Sequence, residues 1–93
     1  MTIGVTIIEI RIYESFSLKD KRQVLKSIVQ RIKNKFNVSI CESNYQDKWQ
    51  LAEITFVEVS TSSKVIDSTS SKIISFLENN PEIEIIKIAK ELL

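Results

Sequence analysis

One segment of the chain, residues 18–36, constrains the fold more than any other. Its apolar side chains recur at helical spacing with no Gly or Pro between them: Val24, Leu25, Ile28, Val29, Ile32 and Phe36. Ser17 stands just before this segment, where its hydroxyl can accept the backbone N–H of Asp20. The Asp20 carboxylate then lies near the positive end of the helix. The pattern predicts a long amphipathic helix, which must bury one side against another layer.

Strand patterns surround this helix. Three segments alternate between apolar and polar residues with period two and are predicted as strands: 2–13, 38–41 and 52–59. A fourth strand is predicted at 83–88, which is apolar on both faces. Residues 43–48 are predicted as a loop and residues 90–93 as a tail. A second helix follows the potential N-caps Ser60–Ser63 and ends before Pro81. Its predicted buried stripe is Ile66, Thr69, Ile73, Phe76 and Leu77. The order predicts an α+β, ferredoxin-like (split βαββαβ) domain over residues 1–93, a four-stranded antiparallel sheet with two helices on one face.

Composition indicates a globular protein, because 43% of residues are apolar and 27% are charged. No apolar run approaches the roughly 18–20 residues that span a bilayer, and the start of the chain has no cationic leader. Cys41 is the only cysteine and cannot form an internal disulfide, which favours a reducing compartment. These features predict a cytoplasmic protein without a membrane partner.

Missing residue types exclude most familiar catalytic sites. The chain has no histidine, one cysteine and one glycine, Gly4. A zinc cage, a Cys-x-x-Cys pair and a glycine-rich phosphate loop are therefore impossible. Four acids lie around the second hairpin, and we interpret them as solvated side chains rather than a catalytic pair: Glu42, Asp47, Glu53 and Glu58. Cys41 is predicted to be a small buried hydrophobe. We expect a non-enzyme with no metal and no cofactor.

The first helix is strongly basic. Residues 19–36 hold seven basic side chains and one acid, a charge of +6, so the other 75 residues sum to −5. On a helical wheel, four of these cations fall within a band about 60° wide: Lys19, Arg22, Lys26 and Lys33. Lys21 and Lys35 point closer to the sheet and are secondary candidates. This row predicts phosphate contacts with RNA or the ribosome, and the alternative is a solvated face.

A second surface is predicted on the sheet. If the helices cover Ile8, Ile10 and Ile12, the opposite face exposes an apolar set: Ile3, Val5, Ile7, Val57 and Val59. We expect a homodimer or higher homo-oligomer through this face. The alternatives are a bulge in the first strand or burial of the opposite phase. Trp49 either covers the edge of the core or stacks on a base.

The chain resembles the bacterial YlxP-like family, domain of unknown function 503, along nearly its whole length. The resemblance rests on these segments: Gly4-Val5, Ser17-Leu18-Lys19-Asp20-Lys21-Arg22, Val24-Leu25-Lys26-Ser27-Ile28, Lys35-Phe36-Asn37-Val38-Ser39-Ile40, and Asp47-Lys48-Trp49-Gln50 followed by Ala52-Glu53-Ile54. It implies a ferredoxin-like fold and supplies no catalytic residues. The family's genes often neighbour those of translation initiation factor two and ribosome-binding factor A, which implies, by association, a role with RNA or the ribosome. The chain departs from the family where Tyr13-Glu14 replaces Pro-Gly and Thr55 replaces Gly.

Overall fold

A computed structural model covers residues 1–93 and contains four strands and two helices. In chain order the elements are β1 (Thr2–Ile12), α1 (Leu18–Lys35), β2 (Ser39–Asn44), β3 (Leu51–Ser60), α2 (Ser63–Glu78) and β4 (Ile83–Leu92). The strands form one sheet in the order β2-β3-β1-β4, and every neighbouring pair is antiparallel. The predicted ferredoxin-like arrangement is confirmed.

Helix α1 begins where the sequence predicts. The Ser17 Oγ accepts the backbone N–H of Asp20 at 3.1 Å, and the Asp20 carboxylate accepts the backbone N–H of Phe16 at 3.1 Å. The first contact satisfies an open donor of the first turn, and the second satisfies the N–H of the residue that precedes the cap. An N-cap of this kind stabilises a helix by about 1 kcal/mol. The last turn closes with the Phe36 N–H on the Ile32 carbonyl at 2.8 Å.

The core lies between the two helices and one face of the sheet. Its thirteen buried residues are Ile8, Ile10, Ile12, Leu25, Ile28, Ile32, Ile40, Ala52, Ile54, Phe56, Ile73, Leu77 and Ile83. Residues at even positions of β1 enter this core, and their neighbours at odd positions face the other side of the sheet. The helices therefore cover one sheet face and leave the other, the open face, uncovered.

Helix α2 differs in detail from its predicted stripe. Its buried residues are Ile66, Ser70, Ile73 and Leu77. Thr69 is only half-buried, and its hydroxyl donates to the Glu58 carboxylate at 2.9 Å. Ser70 was missed because it is polar, yet its hydroxyl is satisfied by the Asp67 carbonyl at 3.1 Å.

Two strands are longer than predicted. Strand β4 continues to Leu92, which pairs with Gly4, so residues 90–92 are strand rather than tail. Strand β2 continues to Asn44, and Ser43 is the extra residue of a bulge opposite β3. These additional residues of β2 and β4 are in strands because they pair with a neighbouring strand. Their own sequences are largely polar and lack a clear apolar alternation.

The remaining irregularity of the sheet lies in β4. Ile85 pairs with Ile10 and Lys87 pairs with Glu9, which leaves Ile86 without a partner on β1. The bulge considered for the first strand is therefore in the fourth, and it does not turn the odd positions of β1 inward.

Three positions place unusual demands on the backbone: Gly4, Glu14 and Tyr45, the last with a φ of 64°. A Cβ on Gly4 would lie 2.3 Å from the Cγ2 atom of Ile66, so the only glycine allows α2 to approach β1 closely. Glu14 has a φ of 54°, in the left-handed region that favours glycine.

Candidate functional site

Four cations of α1 form an exposed row, named here the cationic stripe: Lys19, Arg22, Lys26 and Lys33. Their spacings of three, four and seven residues place them within a band about 60° wide on the helix. The structure has only two ion pairs, Arg11–Glu84 and Lys21–Glu42. No carboxylate therefore lies within 4.0 Å of any charged group of the stripe.

Repulsion among the like charges of the stripe destabilises helix α1. Arg22 lies three residues from Lys19 and four from Lys26, so each pair brings like charges together on one side of the helix. Such pairs cost a few tenths of a kcal/mol each. Asp20, the only acid of α1, is engaged at the helix start. Folding does not require this concentration of positive charge.

Lys21 is a correction to the predicted set of phosphate contacts. Only 1% of the residue is exposed, and its Nζ lies 2.8 Å from a Glu42 carboxylate oxygen while also donating to the Tyr45 carbonyl. It joins the start of α1 to β2 and the β2–β3 connection and is not available to a ligand. Its position on the wheel, beside Leu25 and Ile28, was the signal for burial.

Lys35 is exposed but does not belong to the stripe. Its Nζ lies 5.8 Å from the centre of the Phe36 ring, within the range of a cation–π contact. On the wheel, Lys35 and Arg31 point about 150–170° away from the middle of the stripe. Helix α1 therefore carries exposed cations on two separate flanks.

The open face carries an apolar patch, as predicted. It consists of Ile3, Val5 and Ile7 on β1 with Val57 and Val59 on β3. Ile3 lies opposite Val59 and Val5 opposite Val57, so the side chains are adjacent across the two central strands. Ile7 is 37% exposed and Val59 is 58% exposed. No part of the chain covers this patch.

The other end of the open face is polar. Glu9 and Glu53 lie directly opposite each other, an unfavourable cross-strand pair, and Lys87 pairs with Glu9 from the other side. The negative charge of Glu9, together with burial, raises the pKa of Tyr45 above its ordinary value of 10.0. The Ser43 hydroxyl donates to Glu53 at 2.7 Å.

The four acids around the second hairpin do not form a joint site. Glu42 pairs with Lys21, Glu53 accepts from Ser43, and Glu58 accepts from Thr69. No group of three His, Cys, Asp or Glu side chains is arranged to hold a metal ion.

Two further interpretations of the sequence are wrong. Cys41 is exposed rather than buried, because it alternates with the buried Ile40 and pairs with Thr55 on the open face. Trp49 does not cover the core edge; it is 54% exposed and lines a shallow hollow with Arg11.

The sequence of this chain is similar to a described protein family and to a known bacterial protein. Residues 3–90 match the family model described as "Protein of unknown function (DUF503)". The chain is 44% identical over 82 residues to the uncharacterized protein YlxP of Bacillus subtilis (strain 168), covering 88% of this chain and 89% of that protein. Neither helix is long and apolar enough to cross a membrane.

Two solved structures share the fold. The de novo designed protein Foldit4 superposes with a TM-score of 0.60 at 13% identity, covering 98% of this chain and 97% of that one. A dimeric ferredoxin-like protein from an uncultured marine organism superposes with a TM-score of 0.51 at 7% identity, covering 100% and 96%. At these identities the similarity concerns the fold alone.

Proposed function

We propose that this chain, which belongs to the DUF503 family of proteins of unknown function, is a non-enzymatic cytoplasmic protein that binds RNA phosphates through the cationic stripe. One observation carries the proposal: four exposed cations follow one side of α1 without a carboxylate partner. Cations arranged along a line suit the regular spacing of a phosphodiester backbone.

The chemistry favours contact with the backbone over reading of the sequence. All four members of the stripe are Lys or Arg. Such groups bind phosphates of any sequence, whereas base recognition needs stacking or hydrogen bonds to base edges. The gene neighbourhood of YlxP-like proteins favours ribosomal RNA as the natural polyanion.

Salt dependence provides a quantitative test. Neutralising four phosphates gives a slope of log K against log salt of about −2.8 for single strands and about −3.6 for duplex. The Lys26→Glu/Lys33→Glu variant should lose two contacts, which brings the single-strand slope to about −1.4. Fluorescence anisotropy with a labelled RNA oligonucleotide measures both slopes, and cosedimentation with ribosomal subunits extends the test.

A charge-matched control separates the stripe from net charge. The Lys64→Glu/Lys87→Glu variant has the same total charge, with one change on α2 and one on the open face. It should bind RNA far better than the stripe variant does. Equal affinity of the two variants would mean that net charge, not the stripe, governs binding. Unchanged affinity for RNA and for ribosomal subunits in the stripe variant would remove the proposal.

A second candidate function is self-association through the open face. Its support is the uncovered apolar patch, and the ferredoxin-like neighbour described as dimeric shows that this architecture can form dimers. Four strands about 4.8 Å apart and roughly 30 Å long present about 600 Å² in projection. A standard interface covers about 800 Å² per partner, more than this projected area, so a stable dimer would use the whole face.

Light scattering or analytical ultracentrifugation tests this candidate. Ile7→Lys should dissociate the oligomer because it places a charge within the patch. Val65→Lys is the matched control, since Val65 is also exposed but lies on α2. A monomeric wild-type protein at micromolar concentration would exclude the oligomer.

A further inference from the structure

A groove between the two helices has no role in the surfaces described so far. It encloses about 670 Å³ near the end of α1 and along the outer side of α2. The residues that matter to its chemistry are Arg31, Lys35, Lys72, Ser68, Ser71 and Ser75, and we call this cavity the interhelical groove. Its volume lies within the roughly 300–1,000 Å³ of small-molecule sites.

The groove has a positive charge. Arg31 and Lys35 come from α1, Lys72 comes from α2, and none has a carboxylate within 4.0 Å. Glu82 is the only acid in the lining, which leaves a formal charge of +2. Three cations from two helices border one hollow, although Arg31 and Lys35 repel each other at a spacing of four residues.

The groove also offers neutral hydrogen-bond donors. Ser68, Ser71 and Ser75 follow one another at spacings of three and four residues, so they lie on the same side of α2. None of their hydroxyls takes part in a side-chain hydrogen bond within the protein, whereas the neighbouring Ser70 and Thr69 hydroxyls are both engaged. Only two of the twelve lining residues, Phe36 and Phe76, are hydrophobic. A ligand rich in anionic oxygens suits this lining better than an apolar one.

We propose that the interhelical groove binds a free phosphate ester of about the size of a mononucleotide. An Arg guanidinium binds phosphate oxygens in bidentate fashion, while ammonium and hydroxyl groups supply the remaining donors. Cations placed around one hollow suit a compact anion, whereas an extended chain needs cations in a row. The proposal is independent of RNA binding, because Arg31 and Lys35 lie on the flank of α1 that points away from the cationic stripe.

Calorimetric and NMR titrations of the full chain test the proposal with two probes, AMP and inorganic pyrophosphate. Arg31→Ala and Lys72→Ala should each weaken binding by about tenfold or more, as expected for lost hydrogen bonds to a charged group. Glu82→Gln should tighten binding, because it removes the one opposing charge. Lys64→Ala on α2 and Lys26→Ala on the stripe are controls that should leave the affinity unchanged.

Three results would overturn the proposal. The first is an absence of saturable binding of both probes at millimolar concentration. The second is equal weakening in the Lys64→Ala control, which would indicate diffuse attraction to the helical side. The third is displacement of AMP by an RNA oligonucleotide from the Lys26→Glu/Lys33→Glu variant as readily as from the wild type, which would assign the groove to a polymer. Unchanged RNA binding in the stripe variant, together with intact AMP binding, would count only against the RNA proposal.

Discussion

Replacing Arg22 by glutamate should stabilise the fold while weakening RNA binding. Arg22 is exposed, makes no hydrogen bond or ion pair, and faces like charges at Lys19 and Lys26. The substitution changes two repulsive pairs into two attractive pairs, and each pair contributes about 0.2–0.5 kcal/mol in either sense. The free energy of unfolding should therefore rise by about 1 kcal/mol, which corresponds to roughly 4–8 °C in Tm for a domain of this size.

Urea unfolding at low and high salt measures this gain. The gain should shrink markedly at 1 M salt, where the screening length is about 3 Å instead of the ~10 Å at 0.1 M. Arg22→Gln serves as the intermediate variant, because it removes the repulsion without adding attraction and has a similar helix propensity. It should show about half of the gain.

Two results would contradict this prediction. If Arg22→Glu lowers the free energy of unfolding at low salt, the stripe does not repel itself and Arg22 makes a contact that stabilises the fold. If it raises stability but leaves RNA affinity unchanged, the unneutralised charge has no role in phosphate binding. Opposite effects on stability and affinity are the signature of a surface kept for a ligand.

Three further predictions concern the framework that positions these surfaces. Lys21→Met should lower the free energy of unfolding by about 3 kcal/mol, which is the low end for a broken buried ion pair because a quarter of the Glu42 side chain is exposed. Adding Glu42→Leu should restore most of the lost stability. An unchanged denaturation midpoint in the single variant would contradict this prediction. Glu14→Gly should raise the free energy of unfolding by a few tenths to about 1 kcal/mol, because it relieves a left-handed backbone, and a lower midpoint would show that the Glu14 side chain stabilises the turn. In a Tyr13→Phe background, an ultraviolet titration should find the pKa of Tyr45 above 10.0, and Glu9→Gln should bring it back towards that value. Because the folded state holds the Tyr45 hydroxyl proton more tightly, the associated stability is present below pH 10 and is lost as the pH rises through the folded-state pKa. If Glu9→Gln leaves the pKa of Tyr45 unchanged, Glu9 is not the main cause of its elevation.

Local signals made α1 predictable from the sequence. The Ser17 cap, the uninterrupted helical spacing and the absence of Gly and Pro are all properties of neighbouring residues, and the helix ends within one residue of the predicted limit. The last residues of β4 could not be assigned in the same way. Lys90 and Leu92 are in a strand because they pair with Thr6 and Gly4 at the far end of the chain.

The candidate surfaces show the same contrast between features that lie within one element and features that depend on contacts between elements. The cationic stripe could be predicted from a helical wheel because all of its residues lie on α1. The burial of Lys21 could have been predicted from the same wheel. Cys41 was misjudged because the general tendency of cysteine to be buried was weighed above its alternation with Ile40. The interhelical groove gave no signal, since Arg31 and Lys72 come together only when the two helices lie side by side.

The distribution of charge links the candidate surfaces. The +6 segment lies on the helical side, whereas the open face carries four carboxylates, at Glu9, Glu53, Glu84 and Glu91, against two cations, at Arg11 and Lys87. A polyanion is therefore attracted to the helices and repelled from the open face, which leaves the apolar patch free for a protein surface. In a dimer joined through that patch, the two stripes would face outwards on opposite sides. Each stripe would then have to bind its own stretch of RNA, so dimerisation would increase affinity for a folded or multi-stranded RNA more than for a short single strand.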